Sequence, residues 1–237
     1  MQKYSVFNLI KNAFSSHENW EVAWKDPTPK KSYDVIIIGG GGHGLATAYY
    51  LAKEHNITNV AIIEKGWIGG GNVGRNTTII RSNFMHDANG RFNEFSMDLW
   101  RNMSQELNFN VMFSPRGIIN LAHSDAQMNA YARRGNSMRL NGIDAVLLNR
   151  EQVKKLIPMA DFSEDVRFPI FGGLMQPSAG TARHDAVAWG YARQADSMGV
   201  DIIQNCEVIG FDVVGGKIKG VRTSKGDIKA NKIGLCV

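Results

Sequence analysis

Cysteine is scarce: the 237 residues hold two, Cys206 and Cys236, both in apolar settings. Two are too few for a disulfide framework and form no metal-binding spacing, so no metal site is expected. Both read as reduced core residues of an intracellular, cytoplasmic protein. Also missing is any apolar run approaching the ~18 residues that cross a bilayer, so no membrane segment is expected. The opening stretch, MQKYSVFNLIKNAFSSHENW, lacks a continuous apolar core and a small-residue cleavage site, and does not read as a signal peptide. A large excess of charge of one sign is lacking too: 27 basic residues against 22 acidic leave +5, with no dense Lys/Arg block among aromatics. That balance weighs against nucleic acid as a partner and suits acidic or carboxylate ligands. Internal repeats and low-complexity tracts are absent. A hydrophobic content of 43% and a mean hydropathy of −0.23 describe an ordinary globular chain, long enough for one large or two small domains.

What is present centres on residues 33–64, YDVIIIGGGGHGLATAYYLAKEHNITNVAIIE. Residues 34–38 form a short β-branched apolar run bounded by a turn, the pattern of a strand buried on both faces. Gly39, Gly41 and Gly44 then fall at the G-x-G-x-x-G spacing. Gly39 permits a sharp turn, Gly41 lets the backbone approach a pyrophosphate, and Gly44 lets the following helix pack close to the sheet. Residues 45–54 read as that helix, with first-turn N–H groups aimed at the loop. A second buried run, residues 60–63, ends at Glu64, 20 residues after Gly44. An acid there accepts hydrogen bonds from an adenosine ribose and repels a 2′-phosphate, so the expected ligand is a dinucleotide with a free ribose 2′-hydroxyl.

Before this unit, residues 1–32 form an N-terminal arm and Pro-containing linker. Its aromatics, Tyr4, Phe7, Phe14, Trp20 and Trp24, suit packing on another subunit or on the body of the chain, or a short helix over the first strand. After Glu64, Gly69, Gly70, Gly71 and Gly74 with Asn72, Arg75, Asn76, Thr77 and Thr78 suit either a second wrap around an extended dinucleotide or a surface loop. Arg81 follows Ile79-Ile80, read as a buried pair, which would make its guanidinium a strong bidentate partner for a carboxylate. Helices are expected over residues 94–107, 126–140, 150–157 and 186–198. A hairpin is expected over residues 113–121, and strands over 144–148, 168–171 and 200–208. A second hairpin turns at Gly215-Gly216, and a last strand begins at Asp227. The expected organisation is α/β. A Rossmann-like, dinucleotide-binding domain occupies residues 33–108 and 176–237, interrupted by an inserted α+β substrate domain over 109–175. Because the sequence stops on an apolar strand, a C-terminally truncated domain is expected.

The order of glycine loop, ribose acid, glycine wrap, inserted region, helix, strand and hairpin resembles the glutathione-reductase-like FAD amine oxidases, the family of D-amino-acid and sarcosine oxidases. More narrowly it resembles the beta subunits of heterotetrameric sarcosine oxidases. The likeness rests on GGGGHGLATAYYLAKEH, RNTTIIRSN, RGIINLAH and GTARHDAVAW, and runs from about Asn19 to Val237. It implies that the Rossmann-like domain is a FAD-binding domain of glutathione-reductase type, and that Gly42, His43 and Glu64 bind the pyrophosphate and ribose of FAD. Asn72, Thr77 and Ile79 would line its central and isoalloxazine portions, and the Val208 backbone would meet the adenine. Arg81 would hold the carboxylate of sarcosine or another N-methyl amino acid, and His184 would carry a covalent FMN through a ring nitrogen. Implied partners are alpha, gamma and delta subunits and tetrahydrofolate. The activity implied is oxidative demethylation of sarcosine, with electrons passing from FAD to FMN and oxygen, and the one-carbon unit passing to tetrahydrofolate. In the family, the C-terminal half supplies a further glycine loop, a Lys and the rest of the substrate site. Three other readings stay open: a single-flavin sarcosine or dimethylglycine dehydrogenase, a non-catalytic nucleotide-fold scaffold, and a nicotinamide-dependent dehydrogenase.

Overall fold

Two strands rich in β-branched apolar residues set the architecture. In the computed structural model, which describes residues 5–18, 20, 22–163 and 165–237, Ile36, Ile37, Val60, Ala61 and Ile62 are completely buried. In chain order the first elements are α1 (Val6–Phe14), β1 (Ser32–Ile38), α2 (Gly42–His55), β2 (Val60–Ile63), a 3-10 turn (Asn72–Gly74), β3 (Ile79–Ile80) and α3 (Asp87–Glu106). Next come β4 (Ile118–Ala122), α4 (Asp125–Leu140), β5 (Val146–Asn149), α5 (Arg150–Leu156), β6 (Gly172–Gln176) and β7 (Gly180–Thr181). The chain closes with α6 (His184–Ser197), β8 (Asp201–Ile203), β9 (Val208–Val214), β10 (Lys217–Thr223) and β11 (Gly226–Leu235).

These elements divide into two units. The first comprises residues up to Thr77, Ser104–Val111 and Arg183–Val237; the second comprises Thr78–Met103 and Met112–Ala182. Helix α3 therefore groups mainly with the second unit rather than with the flanking nucleotide-fold residues, a different partition from the ranges 33–108, 109–175 and 176–237. In the first unit a six-stranded sheet runs β8-β2-β1-β11-β10-β9. Its strands β8, β2, β1 and β11 are mutually parallel, with Ile36 opposite both Ala61 and Ile233, while β10 and β9 add antiparallel. Parallel strands need cover on both faces, which is why residues 35–38 of β1 and all of β2 are apolar and buried. The far edge is different: Ile209 on β9 is 67% exposed, and Val213 on the same strand is also exposed. In the second unit β4-β6-β5 form an antiparallel sheet and β3 pairs with β7. Its cores gather Met138, Ile143, Ala145 and Leu174, and separately Leu148, Val153 and Ile170.

Several elements differ from the sequence-based expectation. The expected hairpin over 113–121 does not form: Ser114 pairs with Thr181, and β4 pairs with β6. Pro115 to Gly117 does bend the chain, with Gly117 at φ +83°, but the flanking segments find distant partners instead of each other. The strand expected at 168–171 lies at 172–176. A Cβ on Gly172 would stand 2.4 Å from the Leu148 carbonyl oxygen, and one on Gly173 2.9 Å from that of Asn120. Those glycines mark strands in close approach. The expected strand over 200–208 breaks after Ile203 at Asn205, whose φ is +49°. Helix α3 starts at Asp87, before the expected 94, because Gly90 in its Asn-Gly pair packs against Ile143 rather than turning. In the arm, Tyr4 lies outside the described residues, and α1 buries none of its side chains, so it does not cover the first strand. Cys206 is buried, whereas Cys236 is half-buried, and both are free.

The contrast between sheet centre and sheet edge is measurable. Ile36→Ala should lower unfolding stability by roughly 2–5 kcal/mol, since it opens a cavity in a fully packed layer. Ile209→Ala should shift it by no more than about 0.5 kcal/mol in the same urea titration.

Candidate functional site

The site is built where β1 ends. Gly39 takes φ +107°, which L side chains rarely adopt, and its N–H donates to the Ile63 carbonyl at 2.8 Å. Helix α2 begins at Gly42, earlier than the expected residue 45, so Gly42, His43 and Gly44 form its first turn. A Cβ on Gly44 would stand 2.0 Å from the Gly39 carbonyl oxygen, so only a glycine lets the helix come this close to the loop. The helix's N-cap, Gly41, offers no side-chain acceptor, and the next intrahelical bond is Leu45 N–H to Gly41 O at 3.0 Å. The first-turn N–H groups therefore remain free of intrahelical partners and lie at the positive end of the helix dipole. A Cβ on Gly41 would meet no atom within 4 Å. Backbone amides bordering open space at a helix N-terminus are the arrangement that takes a phosphate or pyrophosphate.

Glu64 closes the other side. Its Oε2 accepts from the Gly40 N–H and its Oε1 from the Gly66 N–H, each at 2.8 Å. A carboxylate has about four acceptor positions, so each oxygen keeps capacity for a hydroxyl such as those of a ribose diol. The fixing amide from Gly40 was not expected from the spacing; the extra glycine in the run of four was its signal. Beyond Gly66, the 3-10 turn brings Val73 within 3.6 Å of a Cβ position on Gly42, and Gly71, like Gly41, faces open space. Asn72 and Thr77 are exposed in this segment. Val208 begins β9, two residues after Cys206, whose N–H donates to the Glu64 carbonyl at 2.9 Å. The structure thus brings Gly39, Gly41, Gly42, His43, Gly44, Glu64, Asn72 and Val208 into one unit around the β1 and β2 ends. His43 also lines a shallow depression of about 370 Å³ on α2 with Thr47, Tyr50 and His55.

Behind the loop, α2 is pinned to α6 and to residues 104–111. Tyr49 Oη donates to Glu106 Oε1 at 3.0 Å, Lys53 Nζ donates to the same oxygen at 2.9 Å, and the Tyr49 and Tyr191 rings stand 5.4 Å apart. Burial first, and the neighbouring Glu106 and tyrosines second, push the Tyr191 phenol above its ordinary range.

His184 opens α6 but does not cap it: Nδ1 is buried without a hydrogen-bond partner among the described residues. Beside it, Arg183 Nε donates to Asp185 Oδ1 at 2.8 Å and Oδ2 at 3.0 Å, and the Ala186 N–H donates to Oδ1. Burial works against the charged Asp185 carboxylate, yet these donors and the adjacent His184 hold its pKa below the usual range. A buried ring nitrogen left unsatisfied calls for an explanation.

Ile79 and Arg81 belong to the second unit. The expected burial of Ile79-Ile80 does not hold: Ile79 is 47% exposed and Ile80 half-buried, because β3 is a two-residue strand paired on one side with β7. The Arg81 surroundings are accordingly mixed, with the guanidinium 5.0 Å from the centre of the Phe84 ring and Nη1 donating to Asn83 Oδ1. Among the described residues no cluster of His, Cys, Asp and Glu could hold a metal, and no helix is long and apolar enough to cross a membrane.

Residues 34–237 match the model of a family described as FAD dependent oxidoreductase. The chain is 60% identical over 233 residues to the sarcosine oxidase subunit beta of Rhizobium meliloti (strain 1021), covering 98% of this chain and 56% of that protein. It is 53% identical over 218 residues to the corresponding subunit of an Arthrobacter species, covering 92% and 54%. Among solved structures, the L-proline dehydrogenase of P. horikoshii superposes with a TM-score of 0.80 at 30% identity, over 88% of this chain and 54% of that one. The chain thus spans about half the length of the curated relatives it matches.

The loop glycines should separate by role. Gly44→Ala should cost roughly 1–3 kcal/mol in urea unfolding, because the helix must shift from the Gly39 carbonyl. Gly41→Ala should leave that stability within about 0.5 kcal/mol of the parent, while dinucleotide affinity measured by calorimetry falls.

Proposed function

The chain belongs to the FAD-dependent oxidoreductase family, and on that premise we propose that it is the FAD-binding part of a sarcosine oxidase beta subunit, catalysing oxidative demethylation of sarcosine to glycine. The observation that carries the reading is the 60% identity to a sarcosine oxidase subunit beta, which extends over 98% of this chain. The site's geometry supports the cofactor: a loop of amides open at Gly41 and a carboxylate preset at the end of β2 suit the pyrophosphate and ribose of FAD. In this reading the first-turn amides of Gly42 and His43 bind the pyrophosphate and Glu64 the ribose, while Asn72, Thr77 and Ile79 face the central and ring portions. The backbone at Val208 lies against the adenine.

When bound, FAD supplies a two-electron acceptor for the N-methyl C–H bond of sarcosine and FMN a route to oxygen. The protein's part is to orient: Arg81 holds the substrate carboxylate, so the N-methyl group is presented in one direction. The finer parts of the proposal are a covalent FMN on His184, assembly with alpha, gamma and delta subunits, and passage of the one-carbon unit to tetrahydrofolate. His184 is supported by its unpartnered, buried Nδ1. Cytoplasmic placement belongs to the same proposal.

The test is made on the full-length protein purified with its accompanying subunits. Anaerobic sarcosine should bleach the flavin absorbance. Acid precipitation and digestion should then leave a fluorescent peptide containing His184, heavier by one FMN. If the precipitate is colourless and all flavin is released as FAD, the covalent assignment fails and a single-flavin dehydrogenase replaces it. If sarcosine leaves the flavin oxidised, the substrate assignment fails.

A further inference from the structure

The segment after β3, Arg81-Ser82-Asn83, is held more firmly than a loop requires. Ser82 and Asn83 are 0% and 1% exposed. The Ser82 N–H donates to Gln176 Oε1 at 3.1 Å, Gln176 Nε2 donates back to Ser82 Oγ at 2.7 Å, and Ser82 Oγ donates to Glu94 Oε2 at 2.6 Å. Asn83 Nδ2 donates to Asn120 Oδ1 at 2.9 Å. Asn83 also joins two cations. Its side-chain oxygen accepts from Arg81 Nη1, and its backbone carbonyl accepts from Arg134 Nε at 3.1 Å and from Arg134 Nη2. Helix α4 thereby delivers a second guanidinium to the residue that steers the first.

Among the described residues neither guanidinium has a carboxylate partner. The nearby acid, Glu94, is committed to Ser82 and to Arg101. Both arginines are half-buried, and burial together with the charge of Arg81 pulls the Arg134 pKa down. Two like charges held together, partly desolvated and without a counter-ion are a cost that an anion would remove. Both forks have donors to spare, since Arg81 gives one N–H to Asn83 and Arg134 gives two, out of about five each. Planar forks of this kind match a carboxylate.

We infer that Arg134 and Arg81, joined through Asn83, form one two-cation site for the substrate carboxylate, with Arg134 a specificity-determining residue. This rests on the proposed role of Arg81 and extends it to a residue on a different element. Its consequence is selective: removing Arg134 weakens carboxylates and spares uncharged analogues, whereas a residue that only tethers α4 affects both alike.

The experiment uses the full-length protein with its accompanying subunits and compares the parent with Arg134→Gln and Arg134→Lys. In steady state the KM for sarcosine should rise by about tenfold or more in Arg134→Gln, with kcat at saturation little changed. Arg134→Lys, which keeps the charge but loses the fork, should recover part of the loss. The KM for the uncharged amide of sarcosine should stay within about twofold of the parent. An unchanged sarcosine KM in Arg134→Gln overturns the inference, as does an equal loss for sarcosine and its amide. Acetate binding, measured by calorimetry on the same proteins, separates this from the substrate assignment. If sarcosine never reduces the flavin but acetate binding still falls by about tenfold in both Arg81→Gln and Arg134→Gln, the two-cation site stands and the proposed substrate falls. If the parent binds no acetate, or only Arg81→Gln weakens it, the two-cation site falls.

Discussion

The glycine cradle of the first unit depends on one close approach, the carbonyl of Gly39 lying where a Cβ of residue 44 would be. That 2.0 Å distance sets how near α2 comes to the end of β1. The approach in turn decides that the amides of the first turn border the loop rather than a side chain. It also brings the Gly40 N–H onto Glu64, so the acid at the end of β2 and the loop at the end of β1 become one structure. A larger residue at position 44 would separate these parts while leaving every strand in place. The sheet is thus robust and the site is not: burial of Ile36 and Ile62 maintains the layer, but steric permission at two glycines maintains the cradle.

How much of this was legible in the sequence varies with the range of the interaction. The β1-α2-β2 unit was readable because its signals are local: an apolar run, three spaced glycines and an acid 20 residues on. The turn at Gly215-Gly216, which joins β9 to β10, was readable for the same reason. Residues 113–121 misled because Pro115 and Gly117 do bend the chain, yet the partners of the bend lie some 60 residues away at β6 and β7, and no local pattern names them. Gly172-Gly173 lie just past the strand expected at 168–171, and they are glycine because two neighbouring backbones leave no room for a Cβ. The burial of Ile79-Ile80 was overestimated because a two-residue strand with one partner covers little of its neighbours.

Among the proposed site residues, the glycines at 39, 41 and 44 and Glu64 could be read from spacing and physical duty alone. His184 could not: a histidine opening a helix carries no distinguishing local mark, and the unpartnered Nδ1 appears only once α6 is packed. Arg81 fell between these cases. Its residue type suggested a carboxylate, but what fixes it, Ser82 locked to Gln176 and Asn83 locked to Asn120, depends on contacts across 94 and 37 residues of sequence.

The two backbone amides on Glu64 bear on kinetics as well as affinity. Its carboxylate is already oriented by Gly40 and Gly66, so the acid that faces an arriving ligand need not be turned into place. Capture of the nucleotide end of a cofactor should therefore be governed by the frequency of encounter, with a single concentration-dependent phase and little conformational lag. Residence time, by contrast, is set by how many of those prearranged contacts must break together.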